Sequence, residues 1–330
     1  MSGVERVRVI CPLNESDERT LADDVLDGLT RPFKELAPKH FYDEVGGELF
    51  DQICDLPEYY PTRAERSIFE VDGAEIVAAS QMAELIELGS GTAEKTMILI
   101  DQAAAAGTLQ RYVPFDVTEA MVRRCCGICG ERFTDAEIIG VVGDFERHLD
   151  YIPPPIESAP RVVALLGGTI GNFVPGSRRQ LLRAIAALLR PGIDHLLLGT
   201  DLVKDPAVIE AAYNDSAGVT AAFNRNVLNV INRSLGADFD VEAFDHVAFY
   251  DRNQEWIEMR LRASRAMHVK IAAIPLTIDF ASGEELRTEV SAKFTPQRLA
   301  DDLAAAGLTL KQIWTDSEGR FALSLSSPTL

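Results

Sequence analysis

Cysteine is scarce and unevenly placed: there are five, Cys11, Cys54, Cys125, Cys126 and Cys129, with three of them close together. An odd count in that arrangement excludes a disulfide framework. Cys126 and Cys129 make one C-x-x-C, but no second pair or H-x-x-x-H follows to complete a tetrahedral metal site, so no metal is expected. The cluster reads as small apolar residues on a helix. No apolar run approaches the ~18 residues of a membrane span. The first residues place Glu5, Arg6 and Arg8 where a secretory leader needs an apolar core. These absences predict a cytoplasmic protein. Basic residues are also short, 32 Lys and Arg against 51 Asp and Glu, a formal net charge of −19. That field repels phosphate backbones and anionic lipid, which excludes nucleic acid and membrane surfaces as partners. A cationic or zwitterionic small molecule is not repelled.

What is present is enough for about two domains in 330 residues, 47% of them hydrophobic and 25% charged. The middle of the chain alternates strand and helix. Strands are predicted at 84–88, 112–116, 137–142, 162–167 and 195–200, with helices at 93–106, 118–133 and 178–190 between them. Such βαβ units imply a parallel, doubly wound, Rossmann-like sheet. The rhythm then stops. Residues 206–235 read as helical and asparagine-rich, and 255–263 and 268–280 as two alternating strands. A helix at 296–306 and strands at 308–314 and 321–326 follow, a terminal hairpin that caps the sheet; the tail SSPTL is expected to fray. Thr62 and Glu65 have the spacing of a capping box, which starts a helix after Pro61. The domain reading is a sheet domain of residues 64–200 and 294–330. A second, α+β substrate-binding domain is expected from residues 10–63 and the insertion 201–293.

The first strand ends in Glu87-Leu88-Gly89-Ser90-Gly91-Thr92. Glycines there let the backbone approach a ligand at the carboxyl end of the strand. A dinucleotide site wants a third glycine where this chain has Glu94, whose charge repels a pyrophosphate. Glu87, just before the first glycine, suits a cationic ligand such as a sulfonium with its amino-acid tail. Asp116 ends the second strand, where a carboxylate accepts ribose hydroxyls. Asp144 ends the third, beside Phe145, where an adenine amino group and ring would be met. Acids after strands one, two and three are the pattern of S-adenosylmethionine enzymes. Lys95 is placed to reach the methionyl carboxylate. Asn172, after a Gly-rich strand end, is the one polar residue that stands out unaided as a candidate ligand group.

Eight blocks carry a wider resemblance: Phe41-Tyr42-Asp43, LPEYYPTR (56–63), ELGSGTAEKT (87–96), GDFE (143–146), GTIGN (168–172), LLLGTDLVKD (196–205), GVTAAFNRNVL (218–228) and TEVSAKF (288–294). In these the chain resembles the S-adenosylmethionine-dependent histidine Nα-methyltransferases of ergothioneine biosynthesis, over nearly all residues after about 20. Residue 168 is Gly where that family carries Ser, and 292 is Ala where it carries Cys. The resemblance implies a class I methyltransferase sheet, S-adenosylmethionine as methyl donor, and L-histidine as the substrate converted to its trimethyl betaine. It implies that Gly89, Lys95, Asp116, Asp144 and Phe145 contact the donor. Tyr59, Asn172 and Tyr213 would hold the amino and carboxylate ends of histidine, and Tyr42 and Asn172 would align the amine. Glu289 and Ser291 would hold the imidazole, with Met259 packed nearby. Two residues apart in an extended segment, Glu289 and Ser291 face one side; a carboxylate and a hydroxyl match the N–H and the lone pair of a neutral imidazole. A monomer is expected.

The competing readings are the same fold acting on another amino acid or small amine, a nicotinamide dehydrogenase, and a non-catalytic binding module. Glu94 and Glu87 argue against the dehydrogenase, and the presence of both Asp116 and Asn172 against the module.

Overall fold

The structure, a computed structural model, describes residues 6–12 and 20–329. In chain order, strand β1 (Val7–Ile10) precedes helices α1 (Leu21–Leu29), α2 (Glu44–Asp55) and α3 (Pro61–Ser80). The alternation follows: β2 (Glu84–Leu88), α4 (Thr96–Ala105), β3 (Arg111–Asp116), α5 (Glu119–Arg132), β4 (Glu137–Val142), β5 (Arg161–Leu165), α6 (Pro175–Ala187) and β6 (His195–Asp201). Helices α7 (Pro206–Tyr213) and α8 (Val219–Leu235) lead to β7 (Phe244–Asp251), β8 (Trp256–Ala263), β9 (Met267–Ile271), β10 (Leu276–Phe280) and β11 (Glu285–Ala292). Helix α9 (Pro296–Ala305) and strands β12 (Leu308–Thr315) and β13 (Phe321–Pro328) complete it. Two compact units result. The first holds residues 6–12, 63–202 and 294–329, the second 20–62 and 203–293.

The first unit is an eight-stranded sheet in the order β1-β4-β3-β2-β5-β6-β13-β12. It is parallel through β6, and β13 runs antiparallel to both β6 and β12. Every residue of β2 and of β5 is buried, as in a sheet covered on both faces; of their charged residues, Glu84 is paired inside with Arg161. Strand order reverses at β2, between β3 and β5, so the crevice at its carboxyl end is the switch point where doubly wound sheets bind ligands. The fold is the expected α/β, Rossmann-like class. Cys125, Cys126 and Cys129 of α5 pack into this unit's core.

Strand β1 was not foreseen. It pairs parallel to β4, Val7 with Ile138 and Ile10 with Val141, so residues 10–12, expected in the second lobe, belong to the first unit. The rest of that expectation, 13–19, lies outside the described residues. The Arg6 guanidinium donates to the carbonyls of Gly130, Phe133 and Ala136 and so closes the end of α5. Asp201, expected to open the insertion, instead pairs with Phe321 in the sheet. The tail is also more ordered than expected: β13 runs to Pro328, and the Thr329 amide donates to the Gly307 carbonyl at 2.8 Å.

The second unit has its own core around a three-stranded antiparallel sheet, β11-β8-β7, and the hairpin β9–β10. Residues 268–280 are therefore two strands and not one. Pro275 lacks the N–H that a continuing ladder needs, and the chain turns back so that Ile271 faces Leu276. The asparagines of α8 explain themselves as pins. Asn232 bonds both the amide and the carbonyl of Phe239. Asn226 donates to Asp43 at 2.7 Å, and Asn224 donates to the Arg260 carbonyl at 3.1 Å. Among the described residues no helix is long and apolar enough to cross a membrane.

Candidate functional site

In the first unit the loop after β2 turns through three left-handed residues, Gly89 (φ 75°), Gly91 (φ 49°) and Ala93 (φ 56°). That path delays the start of α4 to Thr96, three residues later than the periodicity predicts, and Lys95 caps the helix instead of lying inside it. An alanine held in the left-handed region marks a loop whose shape its surroundings enforce. A Cβ on Gly89 would stand 3.8 Å from the Phe145 ring, and one on Gly91 would meet nothing within 4 Å. Open space at Gly91 and an aromatic face beside Gly89 form a cradle with exposed backbone.

Asp116 holds that cradle from β3. One carboxylate oxygen accepts the Gly91 amide at 2.9 Å and the other the Thr118 amide at 2.9 Å. Each oxygen keeps a second lone pair, enough for a diol. Asp144 is arranged similarly, accepting the Glu146 amide at 2.9 Å, and its neighbour Phe145 stands 6.3 Å, centroid to centroid, from Phe173. Glu87 has protein partners on both oxygens. It is buried under the loop, with one oxygen taken by the Thr96 hydroxyl and the other by the Tyr112 hydroxyl at 2.5 Å. Burial pushes its carboxyl up to about 7. Glu87 thus ties β2 to β3 and to the start of α4.

The predicted capping box is absent. Helix α3 starts on Pro61 itself, which suits the first helical position. Glu65 turns away from the helix end, accepts the Gly167 amide at 2.8 Å and pairs with the Lys95 ammonium. Room for it comes from β6: a Cβ on Gly199 would lie 2.4 Å from the Glu65 carboxyl. Gly167 and Gly168 are both left-handed, at φ 70° and 71°, which explains glycine at 168. The short 3₁₀ turn Thr169–Asn172 follows, and Asn172 ends it half-buried. Among the described residues nothing bonds the Asn172 amide.

In the second unit, aromatic rings line a cluster. Tyr42 meets Phe50 edge-on at 5.5 Å, Phe50 meets Tyr59 at 6.1 Å, and Tyr59 meets Tyr213 at 6.4 Å. Tyr42 is 43% exposed, the only ring of the four in reach of solvent to that degree. The next residue fixes its place: Asp43 caps α2 through the Gly46 amide and receives Asn226 and Arg233 of α8. The fields of Tyr213, Tyr42 and Glu289 all act on the buried Tyr59 hydroxyl and, with desolvation first, hold it protonated.

Glu289 and Ser291 share a face of β11, and Met259 stands opposite Glu289 on β8. Some of Glu289 remains accessible, yet protein surrounds the carboxyl. Desolvation pushes it up to about 7, against the pull of Lys293. No group among the described residues bonds it, so it is a desolvated carboxyl without a hydrogen-bond partner there. Ser291 accepts from Tyr213 at 3.0 Å. His246, kept neutral by burial, lies 2.9 Å from the Tyr213 carbonyl and 2.8 Å from Asn224, whose carbonyl accepts from Thr288.

So Tyr42, Tyr59, Tyr213, Met259, Glu289 and Ser291 gather in the second unit, and Gly89, Lys95, Asp116, Asp144, Phe145 and Asn172 belong to the first. Two residues were missed, Glu65 and Lys293. Lys293 sits inside the block TEVSAKF and Glu65 two residues past LPEYYPTR; a charged residue in or next to such a block was the signal available.

Comparison with known proteins now has a geometry to meet. Residues 21–328 match the family described as histidine-specific methyltransferase, SAM-dependent. A histidine N-alpha-methyltransferase of Mycolicibacterium smegmatis is 52% identical over 94% of this chain and 96% of its own length. One from Mycobacterium tuberculosis is 51% identical over 98% and 99%. More distantly, an L-tryptophan methyltransferase of Psilocybe serbica is 28% identical over 91% and 90%. A match across nearly the whole chain, with a class I methyltransferase sheet beneath it, means that this protein belongs to the histidine-specific, S-adenosylmethionine-dependent methyltransferase family.

Proposed function

We propose that the chain transfers methyl groups from S-adenosylmethionine to the α-amino group of L-histidine, three in succession, giving the betaine hercynine and opening ergothioneine biosynthesis. The observation that carries the substrate is the Glu289 carboxyl, unbonded among the described residues, beside the Ser291 and Tyr213 hydroxyls. An amino acid with an N–H and a lone pair on one small ring satisfies that set; an aliphatic or phenyl side chain leaves the acid buried and unpaired. The two relatives above 50% identity carry the histidine name.

Within this reading the first unit is the donor-binding domain and the second the substrate-binding domain. Asp116 takes the ribose hydroxyls, Asp144 and Phe145 the adenine, and Gly89 gives the close backbone approach. Lys95 meets the methionyl carboxylate from its anchor on Glu65. The bound donor supplies an electrophilic methyl carbon on a sulfonium. The chain's own residues deliver the nucleophile. Tyr59, Tyr213 and Asn172 hold the amino and carboxylate ends, and Tyr42 and Asn172 align a neutral amine. Its lone pair forms the new C–N bond as the C–S bond breaks toward sulfur, and a proton leaves the nitrogen before the next cycle. Alignment of this kind reaches effective molarities of ~10⁵–10⁸ M. The aromatic rings favour the growing cation by about 0.5–2 kcal/mol each. A net charge of −19 supports a monomer that avoids nucleic acid and anionic membranes; the cytoplasm is its proposed location.

Calorimetric titration in the presence of S-adenosylhomocysteine tests the substrate assignment. L-Histidine should bind and L-phenylalanine, of similar bulk without ring nitrogens, should not; binding of both equally would overturn it. A 28% identical relative named as a tryptophan methyltransferase makes another free amino acid or small amine the alternative to be tested alongside.

A further inference from the structure

Lys293 is completely buried one step beyond β11. Its ammonium lies 3.0 Å from the Ser291 hydroxyl and 3.1 Å from the Tyr213 hydroxyl, and 4.7 Å from the centroid of the Tyr213 ring. An ammonium has three donors and no acceptor, so both hydroxyls must present lone pairs to it. The Tyr213 proton then points to the Ser291 oxygen, 3.0 Å away. With two donors arriving, that oxygen has only its own proton left to offer. Ser291 is thereby turned into a donor toward whatever stands beside it. Two residues earlier on the same face, the Glu289 carboxyl offers an acceptor oxygen.

We propose that Lys293 is a positioning residue that sets the proton polarity of the substrate pocket: through Ser291 and Tyr213 it selects the neutral imidazole, in the single tautomer that puts N–H on Glu289 and a lone pair on Ser291. This rests on the reading that the pocket takes L-histidine. The titratable groups around Lys293 are Glu289 on its own strand and Tyr213 on α7, with Tyr59, Tyr42 and Cys54 beyond them and His246 beneath the Tyr213 carbonyl. Tyr59 stays protonated and His246 neutral, so neither supplies a competing charge. Without Lys293 the Ser291 oxygen is free to accept, and an imidazolium with two N–H groups fits the same pair.

Nitrogen NMR of ring-labelled L-histidine bound to the wild-type protein with S-adenosylhomocysteine decides the matter at a pH about one unit below the free ring value of about 6.5. One pyridine-type and one pyrrole-type nitrogen are expected; two pyrrole-type nitrogens would overturn the role of Lys293. No bound histidine at all would overturn the substrate reading and this inference with it. Kinetics give an independent check. Lys293→Met should move the pH of lowest histidine KM down by about one unit with kcat little changed, and Lys293→Arg, also donor-only, should keep the wild-type profile. A Met variant whose KM rises by one factor at every pH would mark Lys293 as merely structural.

Discussion

The Glu65 carboxyl accepts the Gly167 amide at 2.8 Å with one oxygen and pairs with the Lys95 ammonium through the other. One fully buried acid thus joins the start of α3, the loop after β5 and the cap of α4. Glu65→Ala orphans the Gly167 amide, a cost of about 1–3 kcal/mol, and takes an anchor from Lys95. The variant should melt at lower temperature and bind S-adenosylmethionine more weakly, while Glu65→Gln, which keeps an acceptor for Gly167, recovers most of the melting temperature. An Ala variant as stable as wild type would contradict this placement.

Phe145 stands beside Gly89 in the cradle. Its ring contributes as an aromatic stacking partner does, about 0.5–1.5 kcal/mol. Phe145→Ala should weaken S-adenosylmethionine by roughly 3–10-fold in calorimetry and leave histidine binding to the second unit unaffected.

Tyr42 keeps its packing on Phe50 and Phe223 when changed to Phe, so only the hydroxyl is lost. If that hydroxyl aligns the amine, kcat falls about 10-fold, the worth of one hydrogen bond, at nearly constant KM. Full turnover in Tyr42→Phe removes the residue from the mechanism.

Glu289 sets a pH dependence whose sign is definite. Its folded-state carboxyl is pushed up to about 7 from 4.5, so the fold prefers it protonated. That preference stabilises the ligand-free protein at low pH and is lost as pH rises through the window from 4.5 to about 7. Glu289→Gln does not titrate. Its melting temperature relative to wild type should therefore rise between about pH 5 and pH 8; a constant difference would show that the carboxyl is solvated. The same variant should lose histidine affinity far more than S-adenosylmethionine affinity, because a site built around a hydrogen bond rejects ligands that cannot complete it.

The sheet was legible because each strand is a short apolar run closed by Gly or Asp, and its register follows from that period. Strand β1 was not, since four residues of VRVI (7–10) gain meaning only from the β4 edge they complete. The hairpin at 272–275 hid because alternation continues on both sides of Pro275 in a single run of letters. The ties of Glu87 were hidden for a physical reason: a strand-end acid next to glycines gives no sign of the Thr96 and Tyr112 hydroxyls on its oxygens. Glu65 and Lys293 were hidden for the same cause, being defined by partners distant in sequence. Asn172 showed itself alone, as a polar residue just past a glycine-rich strand end.

Mass spectrometry of the purified protein incubated with S-adenosylmethionine and each common amino acid tests the central claim most directly. The account predicts that histidine alone gains one, two and then three methyl groups. Methylation of a different amino acid, with histidine untouched, would contradict the assignment of Glu289 and Ser291 to an imidazole and with it the proposed function.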